Sequence, residues 1–267
     1  MGAVSLACST LAFNGQTLEE AFQGVAGLGF DLADLGAFEL EGFGQLRPAL
    51  AADAMGETAD RIIAAAEAAG IGVGAINAFC GEDPGEASRR VATLCLIAHR
   101  IGAATLTLPA GKGPVAEAVE RFLPLVDAGL RYGVRICAEI HLGNLTERPA
   151  AAVDLVSRVP GLKLTMDPSH ILIQGESLEA WRGVLPHVAH VHLRDAGTHG
   201  WGEVQVPWGT GALDLPGILA ALDRQDYAGV LSVEYIGPGF PPGTQDDHLA
   251  SIRAAKGMIE RALGAKG

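Results

Sequence analysis

Short apolar runs alternate with longer segments of helical period along most of the chain. The runs read as strands over Val4–Ser9, Phe30–Leu35, Gly72–Asn77, Thr105–Leu108, Arg135–Ile140, Leu162–Met166, Val188–His192 and Val230–Glu234. Between them, Ala- and Leu-rich stretches such as Glu57–Ala69, Pro84–Ile101, Pro114–Tyr132 and Pro149–Val159 repeat their apolar residues once per helical turn. A further amphipathic helix, Asp246–Leu263, follows the last run. Gly29, Gly70, Gly102, Gly133, Gly161 and Gly229 each stand shortly before a strand, where a helix end favours a residue that takes the left-handed conformation.

Strand and helix in alternation, with short connections, predict a parallel sheet covered by helices. Eight repeats predict closure, so the expected fold is α/β, one (β/α)8 TIM barrel forming a single domain over residues 1–267. A doubly wound sheet would carry G-x-G-x-x-G in its first turn, and Ser9–Gly15 does not. Gly70, Gly72 and Gly74 lead into a strand rather than a helix, which argues against a nucleotide loop. The longest irregular stretches, His199–Leu215 and Ile236–Gln245, follow strands and so belong on the face where barrel enzymes build their sites.

Composition sharpens this. Hydrophobic residues reach 49% with only 5% aromatic, a supply of small apolar side chains that builds a sizeable core and excludes intrinsic disorder. Lys+Arg 19 against Asp+Glu 31 leaves a formal charge of −12, which argues against nucleic-acid and anionic membrane partners. Cys8, Cys80, Cys95 and Cys137 form no C-x-x-C pair and read as reduced, buried thiols of a cytoplasmic protein. The apolar start lacks the positive residues of a signal peptide, and no apolar run reaches the roughly 18 residues of a membrane span.

The chemistry lies at the strand ends. Glu139 and His141 close the fifth strand, Asp167 the sixth, His190 and His192 the seventh, and Ser232 and Glu234 the eighth. Side chains alternate across a strand, so within each pair both residues share a face. Three carboxylates converging on one barrel mouth repel each other, and a divalent cation removes that conflict. Glu139, Asp167, His192 and Glu234 offer three oxygens and one nitrogen to such an ion. That donor set favours Mn2+, with Mg2+, Co2+ or Zn2+ as alternatives. Asp167-Pro168-Ser169 also reads as a simple helix cap. His190 is equally a hydrogen-bonded interior residue or a functional one. Lys163 shares parity with Asp167 but lies about 13 Å below it, at the closed end, which argues against a Schiff-base lysine. His199, Trp201 and Trp208 sit in a loop that either walls the substrate or packs a lid, and His187 and His248 are expected at the surface.

Ala138-Glu139-Ile140-His141, Met166-Asp167-Pro168-Ser169-His170, His190-Val191-His192-Leu193-Arg194-Asp195 and Val233-Glu234 resemble the xylose isomerase-like TIM barrels. That group holds sugar and sugar-phosphate isomerases and epimerases, inosose-type dehydratases and isomerases, and endonuclease IV. The resemblance implies the same four metal ligands and adds His170 as a substrate contact, with His141 beside it. Two positions depart from the ketose 3-epimerases of the group: Thr198 stands where they carry Arg, and Leu145 where they carry Glu. The expected activity is isomerisation or epimerisation of a sugar or polyol by proton transfer next to a carbonyl. Glu139 and Glu234 would exchange the proton and the metal would stabilise the enediolate. A lyase, dehydratase or glycoside-cleaving enzyme on the same barrel is the alternative, with endonuclease IV-like DNA repair more distant. Scarce Lys leans the substrate toward an unphosphorylated one, and the sequence leaves a homo-oligomer open.

Overall fold

A computed structural model describes residues 2, 4–50, 55–242 and 247–264. Eight strands follow one another as β1 (Ser5–Ser9), β2 (Leu32–Phe38), β3 (Gly72–Phe79), β4 (Thr105–Pro109), β5 (Arg135–Glu139), β6 (Lys163–Met166), β7 (Val188–Leu193) and β8 (Val230–Val233). All pair in parallel and in sequence order, and β8 closes the ring on β1 from Ser5 opposite Val230 to Cys8 opposite Val233. The helices are α1 (Leu18–Gly27), α2 (Met55–Ala69), α3 (Pro84–Ile101), α4 (Val115–Tyr132), α5 (Pro149–Arg158), α6 (Pro168–Leu172), α7 (Leu215–Asp223) and α8 (His248–Gly264). The expected closed barrel is the observed one.

Local chemistry starts and stops these helices. At α1, Thr17 Oγ1 accepts from the Glu20 amide at 3.2 Å while the Glu20 carboxylate accepts from the Thr17 amide at 2.9 Å, a reciprocal cap. At α3, Asp83 accepts from the Glu86 amide at 2.8 Å, Pro84 opens the first turn, and Gly102 ends the helix at φ 79°. Val91, Leu94, Cys95 and Ala98 face inward from α3 and are buried.

The barrel interior is polar above its floor. Hydrogen bonds join strands that are not neighbours in the ring: Thr107 to Thr165 at 2.7 Å, Asn77 to Glu234 at 2.8 Å, and His190 to Asp34 at 2.9 Å. Such bonds can only cross the interior. Alternation then turns Leu35, Ile76, Leu106, Ile136, Leu164, Val191 and Leu231 outward, and each is buried beneath the helices. That layer is the hydrophobic core.

Most element bounds agree with the sequence reading to within a residue or two. β2 differs more, running Leu32–Phe38 instead of Phe30–Leu35. The Phe30 amide bonds Val25 O at 3.3 Å, so Phe30 finishes the turn out of α1, and Gly36 and Ala37, which carry little apolar signal, continue the ladder against Asn77 and Ala78. Gly29, Gly70, Gly102, Gly133 and Gly161 have positive φ as expected. Gly229 does not. Its constraint is space, since a Cβ there would lie 2.6 Å from the Tyr227 hydroxyl and 2.9 Å from Ala189 O. The expected helix start at Asp246, and part of the expected loop up to Gln245, lie outside the described residues. Lys163 is the first residue of β6, at the far end from Asp167, as its position in the run required. All four cysteines are free and buried, and burial pushes the thiols of Cys80, Cys95 and Cys137 up to about 12. Among the described residues, no helix is long and apolar enough to cross a membrane.

Candidate metal centre and substrate pocket

Four consecutive strands deliver one group each to the same spot. Glu139 is the last residue of β5, Asp167 follows β6, His192 lies in β7, and Glu234 follows β8. One ligand atom from each of Glu139, Asp167, His192 and Glu234 lies within 4.8 Å of all the others. Four donors at about 2.1 Å from one ion stand no more than about 4.2 Å apart, so a small contraction closes this set on a single cation. The donor chemistry fits a divalent ion that prefers oxygen with one imidazole.

Asp167 serves two purposes, one with each oxygen. Oδ1 accepts from the Ser169 amide at 2.8 Å and the Ser169 hydroxyl at 2.6 Å, which caps α6. Oδ2 turns into the cluster and accepts from Arg194 Nη2 at 2.7 Å. The expected helix cap is thus present, and the other oxygen of the same residue belongs to the cluster.

The cluster balances its charge with the protein's own cations. Arg194 Nη2 also stands 3.6 Å from Glu234 Oε2. His192 Nδ1 lies 2.8 Å from Glu139 Oε1 and 3.4 Å from Glu234 Oε1. Burial works against a charged His192, but Glu234, Asp34 and Glu139 overcome it and hold its pKa well above the usual imidazole value. Burial would likewise raise Glu139, and the hydrogen bond from His192 outweighs it, leaving this carboxyl below its usual value. Glu234 behaves differently. Burial dominates, and its pKa rises to about 7 despite His192 and Arg194 nearby.

Sequence reasoning missed three participants. Asp34 in β2 is fully buried, with its Oδ2 2.9 Å from His190 Nε2 and 3.3 Å from His192 Nε2. Burial would raise its pKa, but the two imidazoles hold it well below the usual carboxylate value. Asp34 thus stands beside the Nε2 edge of the His192 ring while Nδ1 faces the other carboxylates, the place of an outer carboxylate behind an imidazole that binds a metal. Asp34→Asn is expected to weaken metal affinity about 10- to 100-fold with the fold intact; unchanged affinity by calorimetric titration would remove Asp34 from this role. Asn77 is the second, donating from Nδ2 to Glu234 Oε1 at 2.8 Å. Arg194 is the third. A charge inside an apolar strand was the available signal for Asp34, and a polar strand end for Asn77. His190, with either reading open, proves to be the interior partner of Asp34.

His141 and His170 come together over the cluster, with ring centroids 3.9 Å apart. His141 Nδ1 bonds the Leu142 carbonyl at 2.6 Å, and Arg194 Nη2 donates to His170 Nε2 at 3.1 Å. His170 Nδ1 and Arg194 Nη1 are buried without a hydrogen-bond partner. Burial pushes His170 down to about 3, opposed by Asp167. Because the folded value lies below the ordinary one of about 6.5, the unfolded chain takes the proton more readily between them. The stability contributed by neutral His170 is complete above about pH 6.5 and is lost as pH falls toward 3. His170→Gln should show a shallower fall of melting temperature between those limits than the parent chain; parallel curves would contradict it.

A cavity of about 430 Å3 opens above the cluster. Glu139 and Glu234 line it, together with Asn77, His141, Asn144 and Arg194, whereas Asp167 and His192 do not reach it. Trp201 is in its wall, 5.8 Å from both His141 and His170. Trp208 is not in it. Its indole Nε1 lies 3.0 Å from Met258 Sδ, and the Trp208–Gly211 stretch wraps Asp195 instead. The Asp195 carboxylate accepts from the amides of Ala196, Gly209, Gly211 and Leu213 at 2.8–3.1 Å. His199 is exposed and bonded to Glu203, away from the cavity. His248 is not the solvated residue its position suggested, since Nε2 bonds Ala12 O at 2.9 Å, and His187 is half-buried.

A family model described as xylose isomerase-like TIM barrel matches residues 22–256. None of the curated proteins matches the chain. Among solved structures, a xylose isomerase-like TIM barrel protein from Mycobacterium smegmatis in complex with magnesium superposes with TM-score 0.80 at 16% identity, covering 98% of this chain and 97% of that one. An L-ribulose 3-epimerase gives 0.73 at 18% identity, with 99% and 95% covered. The probable 3-DHS dehydratase AsbF from Bacillus anthracis gives 0.71 at 16% identity, with 97% and 99% covered.

Proposed function

Because the chain belongs to the xylose isomerase-like TIM barrel family, we propose that it is a divalent-metal-dependent isomerase or epimerase of a sugar or polyol. One observation carries this reading. Four ligand groups converge within 4.8 Å, and only two of them, Glu139 and Glu234, line the cavity. Asp167 and His192 are then pure holders, while the two glutamates both hold and reach the substrate. A cation bound there supplies positive charge to offset what develops on the substrate oxygens as a neighbouring carbon loses its proton. Mn2+ is the proposed ion, and the magnesium in the M. smegmatis relative supports a hard divalent one.

The two glutamates reach the substrate from different strands, so one can take the proton and the other return it. Glu139 is assigned the first step, and Glu234, with Asn77 fixing one oxygen, the second. Arg194 and His141 line the cavity and orient substrate oxygens, while His170, which does not line it, backs the His141 ring at 3.9 Å.

The test is deuterium exchange. Protein loaded with Mn2+ and incubated in heavy water with a panel of keto-sugars and polyols should replace one C–H next to a carbonyl, followed by NMR. A loaded protein that exchanges no such hydrogen but eliminates water would shift the assignment to the dehydratase reading, which the likeness to AsbF keeps as the second choice.

A further inference from the structure

The floor of the cavity is polar and its mouth is not. Phe38, at the end of β2, meets Phe43 edge to face with ring centroids 4.8 Å apart. Across the opening, Trp201 and Phe240 form a second edge-to-face pair at 6.1 Å. Leu40 stands beside the first pair with 51% of its surface exposed, and Trp201 keeps 42% exposed. Leu11, Pro109 and Ile236 fill the spaces between floor and mouth.

A bare sugar explains one ring in such a wall, since an aromatic face stacks on sugar C–H groups. It does not explain the aliphatic side chains. A hydroxyl pressed against Leu40 or Ile236 gives up a bond to water and receives none in return. Large apolar side chains left half in solvent around a concave site are what a ligand covers. Charge narrows the ligand further. Arg194 is the one Lys or Arg among the described lining residues, and it belongs to the floor, where its Nη2 bonds Asp167 at 2.7 Å. The mouth therefore has no cation to spare for a phosphate or a carboxylate.

We propose, building on the metal-dependent proton-transfer reading, that the substrate is a hydroxy-ketone sugar bearing a neutral apolar substituent, an aryl or alkyl group, clasped between the Phe38–Phe43 and Trp201–Phe240 pairs. The sugar end meets Glu139, Glu234 and Arg194, and the substituent replaces water on Leu40 and Trp201.

The experiment uses Mn2+-loaded protein and a matched pair of probes, methyl and phenyl 3-keto-β-D-glucopyranoside, titrated by calorimetry. The phenyl probe should bind on the order of 10- to 100-fold more tightly, the usual yield of burying one ring. Leu40→Ser combined with Phe43→Ala should erase most of that advantage while Mn2+ affinity stays unchanged, which shows that the variant is folded. Equal affinity for the two probes, binding of neither, or a difference that survives in the double variant overturns the proposal. Failure of the underlying reading shows separately. In that case the phenyl probe binds preferentially but no C–H of either probe exchanges in heavy water.

Discussion

Asp167→Ala is expected to lose the divalent ion and to lower folding stability by about 3–5 kcal/mol, the cost of stripping one partner from a buried charge pair. Two losses combine. The capping bonds from Ser169 at 2.8 and 2.6 Å disappear, and Arg194 is left fully desolvated with its nearest carboxylate gone. Asp167→Asn separates them, because an amide oxygen still caps α6 but no longer balances the guanidinium. Denaturant unfolding together with metal analysis of both variants checks this. Retained stoichiometric metal in both, or an unchanged unfolding midpoint in the alanine variant, would refute the placement of Asp167 in the cluster.

Glu234→Gln is expected to slow turnover about 10²- to 10⁴-fold, the usual worth of one acid–base group. The pattern matters more than the size. If Glu139 removes the proton and Glu234 returns it, this variant should still wash deuterium into the starting substrate while forming almost none of the product. Glu139→Gln should lose both. Equal loss of exchange and product formation in the two variants would mean that the glutamates share one step. Metal content measured in parallel separates a missing acid from a missing ligand.

The ladder of eight strands and the cluster of Glu139, Asp167, His192 and Glu234 were legible because each left a local mark. Short apolar runs ended in ionisable residues, and period-2 alternation placed Glu139, His192 and Glu234 on the inner face. What could not be read was whatever depends on strands across the ring. Asp34 in Leu-Ala-Asp-Leu-Gly carries no motif, and its purpose is visible only once β2 stands opposite β7. Asn77 reaches Glu234 across 157 positions of sequence. α7 escaped notice because Leu215–Asp223 is apolar nearly all round, which hides helical period. The loop tryptophans carried one label in sequence and hold opposite positions in space. Trp201 faces the cavity, and Trp208 packs on Met258 of α8.

The bonds around Asp195 bear on how such a barrel changes its substrate. Its backbone carbonyl accepts from the Val206 amide at 3.0 Å, while its side chain gathers the amides from Gly209 to Leu213. The chain between residues 196 and 206 therefore leaves and re-enters the barrel at a single clasp, carrying Trp201 at its tip. Lengthening a loop with tethered ends is inexpensive, about 0.6 kcal/mol for each doubling. The segment's exposed residues, Thr198, His199, Trp201 and Gly202, can be replaced by design to recut the mouth of the pocket, while the clasp and the burial of Ala196 and Val204 against Ile173 keep β7 and its histidines in register.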